Sequence, residues 1–93
     1  MTAQLLEKEL TIVNQRGLHA RASAKLVKLV EGFDAAVNVS RDGQTVDGTS
    51  IMGLMMLAAS PGCCIRVSVS GAQAEEAMAA IAALVEDGFG EAD

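Results

Sequence analysis

Residues 63–70, Cys63-Cys64-Ile65-Arg66-Val67-Ser68-Val69-Ser70, alternate in side-chain character without a break. Successive side chains of a strand point to opposite faces. The segment therefore reads as a half-buried strand, with Cys63, Ile65, Val67 and Val69 on one face and Cys64, Arg66, Ser68 and Ser70 on the other. Such a strand constrains the whole fold. Its sheet must be covered on one face and left to water on the other. That suits an antiparallel sheet, whereas strands buried on both faces read as continuous apolar runs.

The rest of the chain supplies matching parts. Ala35–Ser40 repeats the alternation, with Ala35, Val37 and Val39 on one face. Arg41-Asp42-Gly43-Gln44 is a tight hairpin turn, because Asp-Gly supplies the positive φ such turns need, and Gln44–Asp47 returns as a short strand. Leu5–Val13 reads as a first strand of mixed, two-faced pattern, closed by a turn at Asn14-Gln15-Arg16-Gly17. From Ala20 to Glu31 the period becomes helical. Ala22, Leu26, Val27, Leu29 and Val30 form an apolar stripe, Arg21, Lys25 and Lys28 lie opposite, and Gly32 marks the stop. Ser50 offers an N-cap for a short helix, Ile51–Ala58, which Ser60-Pro61-Gly62 breaks. Gln73–Asp87 is a second long helix, with Gly88 ending it and the few residues beyond read as a tail. The order β-α-β-β-α-β-α predicts an α+β fold: a four-stranded antiparallel sheet covered on one face by two long helices and one short helix. No repeat or linker divides the chain, so residues 1–93 read as one domain with its core at about 5–87.

Phe33 and Phe89 are the only aromatic residues, so the core must be aliphatic. The net charge of −5 argues against nucleic-acid binding, which needs many phosphate neutralisations. No apolar run reaches membrane-span length, and the first residues carry no leader pattern. Cys63 and Cys64 are adjacent and poorly placed to pair, so nothing calls for an oxidising compartment. A cytoplasmic monomer without cofactor or metal is the expectation.

Charge is unevenly spread. Residues 10–30 hold four basic side chains (Arg16, Arg21, Lys25 and Lys28) and no acidic one, while the remainder holds three basic and twelve acidic. Inside that positive segment sits the single histidine, His19, directly before a helix. The first backbone N–H groups of a helix lack internal partners, so they form a ready anion site. An anion that comes to His19, or is carried on it, is the implied ligand. Two other readings of the histidine are weak. A metal site with Cys63 and Cys64 has too few ligands at poor spacing. A hydrolytic pairing with Ser23 has no carboxylate nearby in sequence.

The run Gly17-Leu18-His19-Ala20-Arg21, with the second segment Ser50-Ile51-Met52-Gly53-Leu54-Met55, resembles the HPr family, the histidine-containing phosphocarrier proteins of the bacterial phosphoenolpyruvate-dependent phosphotransferase system. The resemblance spans about Leu5 to Asp87 and implies an open-faced β-sandwich. It further implies that His19 accepts a phosphoryl group on Nδ1 from enzyme I and passes it to an EIIA-type domain. Arg21 would contact the phosphoryl oxygens, and Ser50 would be a target of HPr kinase/phosphorylase. A carrier of this kind is not a free-standing enzyme and needs no cofactor.

The chemistry fits the residues. Imidazole, with a reference pKa of about 6.5, offers a neutral nucleophile near neutral pH. The N–H groups of Ala20, Arg21 and Ala22 can cradle phosphoryl oxygens, and the Arg21 guanidinium supplies a planar donor fork. Lys25 and Lys28 lie too far along the helix for that contact and are read as attracting acidic partners. The Ser50 helix is apolar nearly all round, so Met52, Leu54, Met55 and Met56 are assigned to partner docking. A phosphate on Ser50 would place negative charge beside that patch. The chain departs from the family in carrying Ala22 where proline is common and Thr49 where lysine or another polar residue is common. These departures leave a second reading open: a regulatory module of the nitrogen-type branch, binding partners according to His19 or Ser50 phosphorylation without feeding a transporter.

Overall fold

The computed structural model describes residues 5–91; the first residues, read above for a leader, and the final two lie outside it. Seven elements follow in order: β1 (Leu5–Thr11), α1 (Ala20–Glu31), β2 (Ala36–Arg41), β3 (Gln44–Asp47), α2 (Ile51–Met56), β4 (Cys64–Ser70) and α3 (Ala74–Glu86). A 3₁₀ turn, Gly88–Gly90, comes last. The strands form one antiparallel sheet in the order β1-β4-β2-β3. This is the expected open-faced architecture.

The alternation of β4 is realised as read. Ile65, Val67 and Val69 are buried while Cys64 and Arg66 are exposed. The register sets Val67 opposite Lys8 on one side and Val39 on the other, and Val69 opposite Leu6 and Val37. β2 contributes Val37 and Val39 to the same face, and the β1 segment contributes Leu10 and Ile12. Against this aliphatic seam pack Ala22, Leu26, Val27 and Val30 of α1 and Ala74, Ala77, Met78, Ile81, Ala82 and Val85 of α3. Burying such side chains contributes about 1.5–3 kcal/mol each for the larger ones, which is why a chain almost without aromatics still holds a core. At the β2–β3 hairpin Asp42 (φ 51°) and Gly43 (φ 82°) both take positive φ, the two-residue turn that Asp-Gly favours.

The boundaries differ from the sequence reading in instructive places. α2 ends at Met56 instead of Ala58, because Ala58 adopts a left-handed φ of 53° well before Pro61. That turn brings the Ala59 carbonyl to the Leu18 N–H (3.0 Å), so a tertiary contact stops the helix. β1 ends at Thr11, leaving Val13 exposed, and β4 begins at Cys64. Leu54, assigned to docking, is fully buried at 0% exposure and belongs to the core, as does Leu57; only Ile51, Met52, Met55 and Met56 face solvent. Ser50 does cap α2, its Oγ accepting from the Gly53 N–H at 3.0 Å.

The largest correction concerns the segment after Gly88. As far as Glu91 it is no loose tail. The backbone turns left-handed at Gly88 (φ 62°), Phe89 (φ 58°) and Gly90 (φ 71°), and the Phe89 ring is completely buried. A bulky residue in that region is strained, and the burial of a whole aromatic side chain offsets the cost. Phe89→Ala is expected to lower stability by about 3–5 kcal/mol in chemical denaturation, the range for emptying an aromatic core position. Ser50→Ala should cost about 1 kcal/mol through loss of the cap, with no change in the sheet, as read by the same titration alongside circular dichroism.

Candidate functional site

The site is built on the junction between β1 and α1. Asn14 turns the chain, with its carbonyl accepting from the Gly17 N–H (3.1 Å) and its Nδ2 donating to the Gly17 carbonyl (2.9 Å). Gly17 has φ 61°, and a Cβ there would overlap the Ala59 carbonyl oxygen. Glycine is thus required both by the backbone conformation and by the close approach of the loop after α2. Leu18 then points into the core at 4% exposure. Its neighbour His19 is directed outward and is the N-cap of α1, with extended backbone (φ −76°, ψ 179°) and no side-chain capping bond.

The first rung of the helix ladder joins the Ser23 N–H to the His19 carbonyl at 2.9 Å. The N–H groups of Ala20, Arg21 and Ala22 precede it and have no intrahelical partner, so the positive end of a twelve-residue helix opens beside the imidazole. No acidic residue sits in that first turn to occupy it. A hollow of about 450 Å³ lies here, lined by Gln15, Arg16, His19, Arg21, Lys25, Gly90 and Glu91. Three cations against one carboxylate give it a net positive field, as the charge segregation in the sequence predicts.

One of the predicted roles changes in the fold. Lys25 reaches back to the site, its Nζ donating to the Phe89 carbonyl at 2.7 Å. It therefore both lines the hollow and fastens the C-terminal segment, where the sequence reading gives it only the attraction of acidic partners. Lys28 stays exposed on the outer face of α1. Ser23, the weak hydrolytic partner, is buried and donates to the Leu18 carbonyl (3.2 Å), so it is not engaged with the imidazole.

The residue that sequence reasoning missed is Glu91. Its Oε2 is hydrogen-bonded to His19 Nε2, and its Oε1 accepts from Asn14 Nδ2 at 3.0 Å. The His19 contact spans 72 residues of sequence. Hydrogen bonds from His19 and then Asn14, with the nearby Arg16 charge adding to them, hold the Glu91 carboxyl below the usual carboxylate range. Phe89, flanked by two glycines and one of only two aromatics, was the available signal that the C-terminal segment is anchored.

A second hollow, of about 590 Å³, lies on the uncovered face of the sheet and is lined by Glu9, Arg41, Arg66, Cys63 and Cys64 among others. It holds no imidazole and is separate from the helix start. Both cysteines are free thiols, and among the described residues no cluster of three or more His, Cys, Asp or Glu side chains could hold a metal ion. Among the described residues no helix is long and apolar enough to cross a membrane.

Comparison with known proteins shows the family to which this fold belongs. The family model described as "PTS HPr component phosphorylation site" matches residues 6–87. The phosphocarrier protein HPr of Cupriavidus necator is 47% identical over 89 residues, covering 96% of this chain and 100% of that protein. The phosphocarrier protein NPr of Escherichia coli is 40% identical over 87 residues, covering 92% of this chain and 97% of its own length. Among solved structures, an HPr from Thermoanaerobacter tengcongensis superimposes with a TM-score of 0.89 at 38% identity, covering 95% of this chain and 99% of that one. A family model matching most of the chain, relatives up to 47% identical over nearly their whole length and a shared sheet and helix order establish that the chain belongs to the HPr family of phosphocarrier proteins of the phosphotransferase system.

Proposed function

We propose that this chain carries a phosphoryl group on His19, receiving it from phospho-enzyme I and delivering it to a histidine of an EIIA-type domain. The observation that carries the reading is the position of His19: N-cap of α1, partly exposed, beside unpaired backbone N–H groups and the Arg21 guanidinium. Oriented N–H groups and a planar donor fork suit the three charged oxygens of a phosphoryl group in transit. A bond from phosphorus to imidazole nitrogen breaks more readily than a serine ester, so histidine suits transfer. The hollow is lined mostly by charged and polar groups, which suits docking against a partner's active site.

Ser50 is proposed as the regulatory phosphorylation site. Its hydroxyl is half-buried in capping α2, and the exposed Met52, Met55 and Met56 follow on the same short helix. These methionines, with Ile51, form an adaptable apolar surface for partner proteins, and a phosphate at its edge would hinder docking on acidic partners. Relatives named HPr, at up to 47% identity, and NPr, at 40%, both match nearly the whole chain, so the type of enzyme I that charges the protein distinguishes the sugar branch from the nitrogen-regulatory branch.

Three outcomes test this. Mixed with enzyme I and phosphoenolpyruvate, the protein should gain one acid-labile phosphoryl group by intact-mass spectrometry, and His19→Ala should gain none. No transfer from either the sugar-type or the nitrogen-type enzyme I would end the carrier reading, and the type that charges it identifies the branch. Arg21→Ala should slow acceptance about tenfold, less than the ~100-fold loss typical of an enclosed donor, because Arg21 is exposed. Ser50→Asp should keep the cap yet accept the phosphoryl group more slowly in a stopped-time assay; an unchanged rate would remove Ser50 as a regulator of that encounter.

A further inference from the structure

The bond between Glu91 and His19 has a chemical consequence for the imidazole. A neutral imidazole has one nitrogen that donates and one that accepts, and the partner of either nitrogen decides which is which. Glu91 is ionised at neutral pH, since its surroundings stabilise the carboxylate, and an ionised carboxylate only accepts. In the neutral His19 ring an accepting carboxylate at Oε2 therefore calls for the proton on Nε2. The lone pair is left on Nδ1, which makes no hydrogen bond among the described residues and is not a buried, unpartnered atom.

We propose that Glu91 is the positioning residue of this site: it selects the Nε2–H tautomer of His19 and holds the ring so that Nδ1 is the nucleophilic nitrogen. The inference rests on the reading of His19 as phosphoryl acceptor. Glu91 does not touch the phosphoryl group.

The structure builds Glu91 into place from several directions. Asn14, 2% exposed, donates to its other oxygen, so the carboxylate plane is fixed by two donors at once. Phe89, two residues earlier, is locked in the core, and Lys25 from α1 fastens the Phe89 carbonyl. The carboxylate side chain is 15% exposed and the imidazole 22%, so water competes only in part for this bond. Arg16, Arg21 and Lys25 line the same hollow and balance the carboxylate charge, which would otherwise repel an arriving anion.

The transfer balances without moving a proton. The Nδ1 lone pair of His19 forms a bond to phosphorus while the donor's phosphorus–nitrogen bond breaks, its electron pair returning to the donor imidazole. The His19 ring then carries a hydrogen on Nε2 and phosphorus on Nδ1, and is cationic. Glu91, on the Nε2 side, balances that charge. When the phosphoryl group leaves for the next histidine, the electron pair returns to Nδ1 and the starting tautomer is restored. This is the arrangement of a base held by an orienting carboxylate, applied to a nucleophile.

The test combines nitrogen-15 NMR of the histidine ring, at a pH where it is neutral, with the rate of phosphoryl acceptance from enzyme I. In the wild-type protein Nε2 should read as the protonated nitrogen and Nδ1 as the bare one. Glu91→Ala should move the two signals toward each other, as tautomers mix, and slow acceptance about tenfold through lost orientation. Glu91→Asp should restore both readouts in part. In Glu91→Gln the new amide competes for its two neighbours. Wherever its NH₂ faces His19, the proton is driven to Nδ1, so acceptance should fall at least as far as in Glu91→Ala. A wild-type ring with mixed or Nδ1-protonated tautomers, or variants in which either readout stays unchanged, would overturn the proposal. The two readings fail separately: absence of any phosphoryl group on wild-type His19 sinks the carrier function, while normal charging of His19 with an indifferent Glu91 sinks only this inference. Circular dichroism of each variant, with Glu91→Gln as the near-isosteric control, separates a lost contact from a lost fold.

Discussion

The structure depends on one aliphatic seam. Val39 and Val67 face each other across the two inner strands, with Val37 opposite Val69 beside them, and all four are buried on the helix-covered face. Because the side-chain period of a strand is two, this seam fixes register: a one-residue slip would turn every valine to water. The seam also decides which side of the sheet α1 and α3 must cover. The position of His19 follows from where that helix has to begin.

From this frame the site is assembled by two backbone clamps. The Leu18 N–H on the Ala59 carbonyl, made possible by the absence of a side chain at Gly17, pins the loop before α1 to the loop after α2. The Phe89 anchor, tied by Lys25, pins the C-terminal segment to the first turns of α1. Together they hold the imidazole between a helix N-terminus and a carboxylate. A carrier must hand its cargo on, so its site needs an exposed acceptor atom and few enclosing walls. The cationic hollow at the helix start meets that demand, and the rigidity needed for orientation comes from the supporting contacts beneath it.

Much of the fold was legible in the sequence because its signals are local. The β4 alternation, the Asp42-Gly43 turn, the amphipathic stripe of α1 and the Ser50 cap each depend on residues a few positions apart, and each is found where the pattern put it. The misreadings share a cause. α2 looked two residues longer because its end is set by a contact to Leu18 and not by Pro61. Leu54 looked available for docking because an all-apolar helix has no period from which to tell its covered side, and the structure buries that residue fully. Lys25 looked remote because distance along a helix says nothing of what a second segment brings to it.

The sequence by itself determined a one-faced antiparallel sheet, the helices that cover it, and a single imidazole at the start of the one basic helix. Period, turn chemistry and charge segregation are properties of neighbouring residues and need no partner to be read. Only the tertiary structure decided what faces that imidazole. Glu91 lies 72 residues away, brought to His19 by the burial of Phe89 and fixed by Asn14, and no local pattern encodes such a meeting. What faces the Nε2 edge of His19 is thus set by core packing at the far end of the chain.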